Sequence, residues 1–147
     1  MSNISYAAIT LLAGIGIPIM AALNSALGSR IGSPIPAALI LFSLAFAITL
    51  AVYLVRAPVL NLASVNLPWY YFLGGVFVAF YVLAITWTAP KLGVANAIFI
   101  ILLGQIIAAV IIEHFALFNT KEIPLSWSRL AGVGLMAIGI YLSRRGL

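Results

Sequence analysis

The sequence predicts an all-α integral membrane protein with five transmembrane helices per chain, assembled as a ten-helix, inverted-repeat antiparallel dimer. Three observations carry this expectation. Hydrophobic residues make up 65% of the 147-residue chain and charged residues 6%, against about 45–50% and about 25% in an ordinary soluble domain. So little charge cannot cover a water-facing surface, which excludes a soluble domain, a disordered chain and a nucleic-acid binder with a basic face. Apolar residues also come in continuous runs such as VANAIFIILLGQIIAAVII, not in the in–out alternation of a membrane barrel, so the backbone must satisfy itself as helix. Finally, Lys and Arg are spread almost evenly over the two sides that five spans create.

The first helix is expected over about 4–27, since a span needs roughly 20 mostly apolar residues. The N-terminus reads MSNISYAA, with no Lys or Arg before the apolar run, so the run reads as a retained membrane helix and not a signal segment. GSRIGSPIP supplies turn formers and Arg30. It predicts a break before a second helix over about 35–55, ending at Arg56-Ala57-Pro58. The polar stretch NLASVNLP leads to a third helix, from Trp69 to about 89. Pro90-Lys91-Leu92-Gly93 predicts a short turn into the fourth, about 93–112. Glu113 to Ser126 holds most of the remaining polarity, and the fifth helix runs over about 127–143, before Arg144-Arg145. Trp69, Tyr70, Tyr71 and Trp127 stand at helix ends, as interfacial anchors do. Residues 1–147 read as one transmembrane domain.

With five spans the termini lie on opposite sides. The N-terminal side then holds Arg56, Lys121 and Arg129; the other holds Arg30, Lys91, Arg144 and Arg145. The α-amino group adds about one charge to the first side, so the positive-inside bias is close to zero. Such a chain is expected to insert both ways and pair antiparallel with itself. A weak bias tipped by local detail, or pairing with an oppositely oriented homologue, are the alternatives. Two inverted copies give the plan of many secondary transporters, with the substrate site at the repeat interface near the midplane.

Polar groups at bilayer depth are costly unless partnered, so each is a candidate site. In the first helix Thr10, Gly14, Ala21 and Asn24 lie near one face, and Pro18 cannot donate to the carbonyl of Gly14, which predicts a kink. Thr10 and Asn24 are cavity candidates; tight packing by small residues is the other reading. Phe42, Phe46, Thr49 and Tyr53 form a stripe on the second helix that suits packing better than a pocket wall. The third aligns Gly74, Phe77, Tyr81 and Thr88. Tyr81 and Thr88 join the cavity candidates, with a plain interhelical hydrogen bond as the alternative. Gln105, beside Gly104 in the middle of the fourth helix, is a candidate substrate contact or gate, or else polar glue between helices.

Glu113 and His114 are possible coupling residues, although an interfacial charge paired with Lys121 or Arg129 is the favoured reading. Adjacent helical residues point about 100° apart, which argues against an acid–base pair. Gly132, Gly139 and Ser143 mark one side of the fifth helix as a packing groove, a candidate dimer seam. Zero Cys, one His and two acids leave no basis for a metal site, a cofactor or an enzyme. The reading is a dual-topology small-molecule transporter whose partners are the bilayer, an antiparallel copy or oppositely oriented homologue, and an unidentified substrate. A passive channel on the same plan and a non-transporting accessory protein are the alternatives.

LNSALGSRIGSPIPAALILF, WYYFLGGVFVAFYV, APKLGVANAIFIILLGQ, IIEHFALF and GVGLMAIGIYL follow one another in an order that carries a family pattern. The chain resembles the short five-helix bacterial proteins of the drug/metabolite transporter superfamily, the EamA-like YdcZ type. The resemblance implies a bacterial inner-membrane protein, often a dual-topology homodimer or an oppositely oriented pair. It also likens the last helix to the dimer-forming helix of the small multidrug resistance relatives. Two positions depart from the pattern. Met20 stands where many members carry Gln, and Glu113 where the usual residue is Asp. Unlike the small multidrug relatives, the first helix has no mid-span carboxylate, which disfavours proton-coupled cation export.

Overall fold

The computed structural model describes residues 3–56 and 67–144. The remaining segments, which contain Pro58, most of NLASVNLP and Arg145, lie outside the described residues. Five α-helices follow in order: α1 Asn3–Ile31, α2 Pro34–Arg56, α3 Gly74–Leu92, α4 Val94–His114 and α5 Trp127–Arg144. A 3-10 turn, Trp69–Leu73, leads into α3, and another, Leu117–Asn119, follows α4. No strand occurs among the described residues.

The helix ends differ from expectation for local reasons. α1 continues a full turn past Leu27, because Gly28, Ser29 and Arg30 can be helical and the true stop is Gly32 at φ 81°. Ser33 then caps α2: its hydroxyl accepts the N–H of Ile35 at 3.3 Å, and Pro34 fills the first helical position, where a missing N–H is harmless. α1 runs unbroken through Pro18. Pro90 belongs to the last turn of α3 and does not end it. The stop is Gly93 at φ 82°, and a proline this close to a C-terminus removes only one hydrogen bond.

α1, α2, Trp69–Leu92 and α4 are long and apolar enough to cross a membrane. α5 has 18 residues, about 27 Å of helix, and its apolar stretch Trp127–Ser143 falls short of the other four. Among the described residues the five expected helices are present, four of them long and apolar enough to cross a membrane and the fifth a shorter apolar helix.

The chain divides into two compact units, Met1–Val94 and Ala95–Leu147. In the first, α1, α2 and α3 pack on one another. The buried residues are mostly small, Ile85 being the largest, and gather toward one end of the three helices: Ala21, Asn24, Ser25 and Gly28 on α1; Ala37 and Ala38 on α2; Val82, Ile85, Thr86 and Ala89 on α3. Small residues let membrane helices approach closely, since lipid gives no hydrophobic drive for association. A Cβ on Gly28 would stand 3.1 Å from Thr86 Cγ2 and 3.5 Å from both Pro34 Cα and Ser33 O. Toward the other end, residues such as Leu11, Leu12, Leu54 and Phe77 are exposed.

The second unit consists of α4, the turn after it and α5. Ala116, Phe118 and Asn119 all have positive φ in that turn, at 48°, 56° and 63°.

Candidate substrate groove and polar clasp

Asn24 and Thr86 form the polar centre of the first unit. Both are buried. Asn24 Nδ2 donates to Thr86 Oγ1 at 2.5 Å, and Thr86 Oγ1 donates to the carbonyl of Val82 at 2.7 Å. The result is a directed chain in low dielectric, where each bond polarises the next. The spacing Val82, Thr86, Ala89 turns this part of α3 toward α1, matching Ala21, Asn24/Ser25 and Gly28.

On its other side Asn24 lines an open groove of about 420 Å³ between α1 and α2. Met20, Leu23 and Leu27 contribute from α1, and Ile40, Leu41, Leu44, Ala45 and Ile48 from α2. Asn24 is the one polar residue in this wall. Its Oδ1 takes no hydrogen bond from the described residues. A smaller polar hollow of about 380 Å³ lies where the ends of α1, α2 and α3 meet, lined by Ser29, Ser33, Trp87 and Lys91 among others. There Lys91 Nζ sits 3.7 Å over the Trp87 ring, a cation–π contact.

The other expected cavity residues are scattered. Thr10 is exposed and donates to the carbonyl of Tyr6 at 2.8 Å; Thr88 is half-buried and donates to that of Ala84 at 2.8 Å. Tyr81 is half-buried, and its hydroxyl oxygen is buried without a partner among the described residues, as is Ser25 Oγ. Gly14 has no neighbour within 4 Å of where a Cβ would stand. Gln105 is exposed in the middle of α4 and has no hydrogen-bond partner among the described residues. Sequence reasoning favours Thr88 and passes over Thr86. Hydropathy leaves no mark on Thr86; its packing against Gly28 of α1 singles it out.

In the second unit the carboxylate of Glu113 pairs with the guanidinium of Arg129, each about one-third exposed. Around that pair, the N–H of Ile123 donates to the backbone carbonyl of Glu113 at 2.9 Å, and the N–H of Leu125 donates to His114 Nδ1 at 3.2 Å. Ser126 Oγ accepts the N–H of Arg129 at 3.3 Å, capping α5. Glu113 and His114 thus clasp the segment that enters α5, and a proton-coupling role for Glu113 requires this pair to open. Gly132 and Gly139 have no neighbour within 4 Å of their Cβ positions, and Ser143 is exposed. No group of His, Cys, Asp and Glu that could hold a metal ion occurs among the described residues.

Four long apolar helices and a fifth shorter one, with charges kept to helix ends, define a multi-pass membrane protein of the transporter class. A family model described as "Putative inner membrane exporter, YdcZ" matches residues 5–142, and the chain belongs to that family. No curated protein and no solved structure matches the chain.

Proposed function

We propose that the protein is a small-molecule transporter of the inner membrane that works as an antiparallel, dual-topology dimer, with its substrate site near the bilayer midplane. The single observation that carries the dimer is Gln105. A carboxamide exposed in mid-span with no hydrogen-bond partner among the described residues is costly against lipid. A second copy, or the cavity that two copies enclose, supplies what it lacks. The open α1–α2 groove is then half of a site that the symmetry operator completes. Gly132 and Gly139 on α5 are the proposed seam. An oppositely oriented homologue serves equally as the second half.

The short α5 makes this reading sharply testable. If α5 crosses, the Lys/Arg count is three against four and orientation is undecided. If it does not cross, Arg144 and Arg145 move to the side of Arg56, Lys121 and Arg129, giving five against two and one fixed orientation. A helix of about 27 Å can still span a hydrocarbon core of about 30 Å by local thinning of the bilayer. Paired C-terminal reporters, one active in the cytoplasm and one outside it, are expected to be active together. Activity of only one, with no oppositely inserted partner copurifying, removes the proposal.

Disulfide trapping gives the geometry, because the chain has no Cys of its own. Gly132 and Gly139 lie symmetrically about the midpoint of α5, so antiparallel seams bring Gly132 of one copy against Gly139 of the other. Gly132→Cys and Gly139→Cys are expected to cross-link when coexpressed and not when expressed singly. Self-linking of each variant alone indicates a parallel pair.

A further inference from the structure

We propose that the α1–α2 groove selects neutral, largely apolar small molecules that present one hydrogen-bond donor, and that the side-chain carbonyl of Asn24 reads that donor. The proposal deepens the transport reading and rests on it for calling the ligand a substrate; the binding preference itself can be measured alone.

The orientation of the Asn24 carboxamide follows from Thr86. A hydroxyl has one proton, and that of Thr86 goes to the Val82 carbonyl at 2.7 Å. Toward Asn24 it can only accept, and Nδ2 stands 2.5 Å away. The nitrogen is therefore held toward α3, and Oδ1 is left for the groove with both lone pairs unclaimed. The amide keeps one further N–H, which can donate to a ligand hydroxyl but cannot supply the donor that Oδ1 lacks.

The rest of the wall selects against charge. Every other lining residue is apolar, so an ion entering the groove would lose its hydration with no counter-charge in reach. An ether or ester oxygen placed at Oδ1 meets lone pairs with lone pairs. A hydroxyl or amide N–H there gains a bond in low dielectric and satisfies the carbonyl. The groove, about 420 Å³, falls in the range of small-molecule sites. A lipid acyl chain fills the apolar wall and leaves Oδ1 unpaired, so it is the weaker occupant.

The test uses the full chain in lipid nanodiscs with tritiated 1-naphthol as probe. Displacement by unlabelled 1-naphthol is compared with displacement by 1-methoxynaphthalene, which has the same rings and no donor. Partition into protein-free discs is subtracted. 1-Naphthol is expected to compete at about tenfold lower concentration, the scale of one hydrogen bond to a buried acceptor. Asn24→Leu brings the ratio to about one. Thr86→Val frees the carboxamide to turn its N–H outward and lowers the ratio by about threefold or more, whereas Thr86→Ser, which restores the hydroxyl, keeps it.

Equal competition by both compounds in the unmodified protein overturns the inference. So does a ratio unchanged by Asn24→Leu, or the absence of protein-dependent binding. Flux is read separately. Transport without the donor preference removes this inference and leaves the transport reading standing; donor preference in a protein that transports nothing does the reverse.

Discussion

The two units of the chain handle polarity in opposite ways. Met1–Val94 buries a polar chain inside the helix packing, from Asn24 through Thr86 to the Val82 carbonyl. Ala95–Leu147 places them at helix ends, as the Glu113–Arg129 pair with His114 and Ser126 around it. Both solve the problem that a bilayer sets, where an unpaired group has no water to fall back on. The first pairs the Thr86 hydroxyl and one Asn24 N–H at depth, and leaves Ser25 Oγ and the Tyr81 hydroxyl buried with no partner among the described residues. The second keeps charges at the margin, where headgroups and water share the load. Gln105 fits neither scheme, being in mid-span, exposed and unpaired among the described residues. That exception is what directs the proposed second copy to its face.

The contrast between the units breaks most severely if the packing that encloses the internal chain is wedged apart. Gly28→Leu is the strongest such wedge. Its Cβ alone meets Thr86 Cγ2 at 3.1 Å and lies 3.5 Å from backbone atoms of Ser33 and Pro34, which leaves little room for a longer side chain. Overpacking of this kind costs about 1–3 kcal/mol or more, and two of the obstructing groups are backbone that cannot rotate away. Titration with SDS in mixed micelles is expected to place Gly28→Leu below single substitutions at Asn24, Thr86, Glu113 and Arg129. Gly14→Leu, where a Cβ meets nothing within 4 Å, is expected to leave stability close to that of the unmodified protein.

The internal chain also predicts an asymmetry between its members. Thr86→Val removes the acceptor and leaves one polar atom of the Asn24 carboxamide facing an apolar neighbour whichever way the amide turns, which costs about 1–3 kcal/mol. Asn24→Leu removes the donor, yet Thr86 keeps its bond to Val82, so only the net value of one membrane hydrogen bond is lost, about 0.6 kcal/mol on average. The same titration should rank Thr86→Val as clearly the more damaging. The reverse order would mean that Thr86 does not need to accept from Asn24, and the directed chain would be wrong.

How much of this is legible from the sequence depends on the signal each feature leaves. Helix positions are legible, since continuous apolar runs leave the backbone one solution. Helix ends are less so. Gly28, Ser29 and Arg30 look like a break, but only Gly32 takes the left-handed conformation that ends α1. The buried face of α3 is hard to choose because a helix apolar on all sides has no hydrophobic stripe to choose by. The Tyr81–Thr88 stripe and the Thr86–Ala89 stripe look alike to a hydropathy argument, and only contact with Gly28 on α1 distinguishes them. Glu113 is legible as an interfacial charge with Lys121 or Arg129 as its partner. Choosing between those partners needs the turn geometry, which hydropathy does not encode.

The marginal clasp of the second unit should prove far weaker than the buried chain of the first. Glu113 and Arg129 are each about one-third exposed, so their pairing is screened and worth about 0–1 kcal/mol. A double-mutant cycle with Glu113→Gln and Arg129→Gln is expected to give a coupling in that range that shrinks as salt is raised. The backbone bond from Ile123 to Glu113 survives both changes, so the turn is expected to persist. A coupling of several kcal/mol that ignores salt would place this pair in a drier setting and collapse the contrast between the units.

The smallest effect concerns the turn that the clasp holds. Ala116 sits at φ 48°, where its Cβ crowds the following carbonyl at a cost of about 1–2 kcal/mol. Ala116→Gly removes that cost and returns about 0.4–1 kcal/mol through the greater freedom of the unfolded chain. The net expectation is a gain of about 0.5 kcal/mol by the same two principles. Asn119, at φ 63°, belongs to a residue type that tolerates the left-handed region, so Asn119→Gly should gain less. If both variants instead lose stability, the turn is not strained, and the clasp has no opposing force to hold. If Ala116→Gly gains, combining it with Glu113→Gln should recover part of what the broken ion pair loses, because strain and clasp then act on the same few residues between α4 and α5.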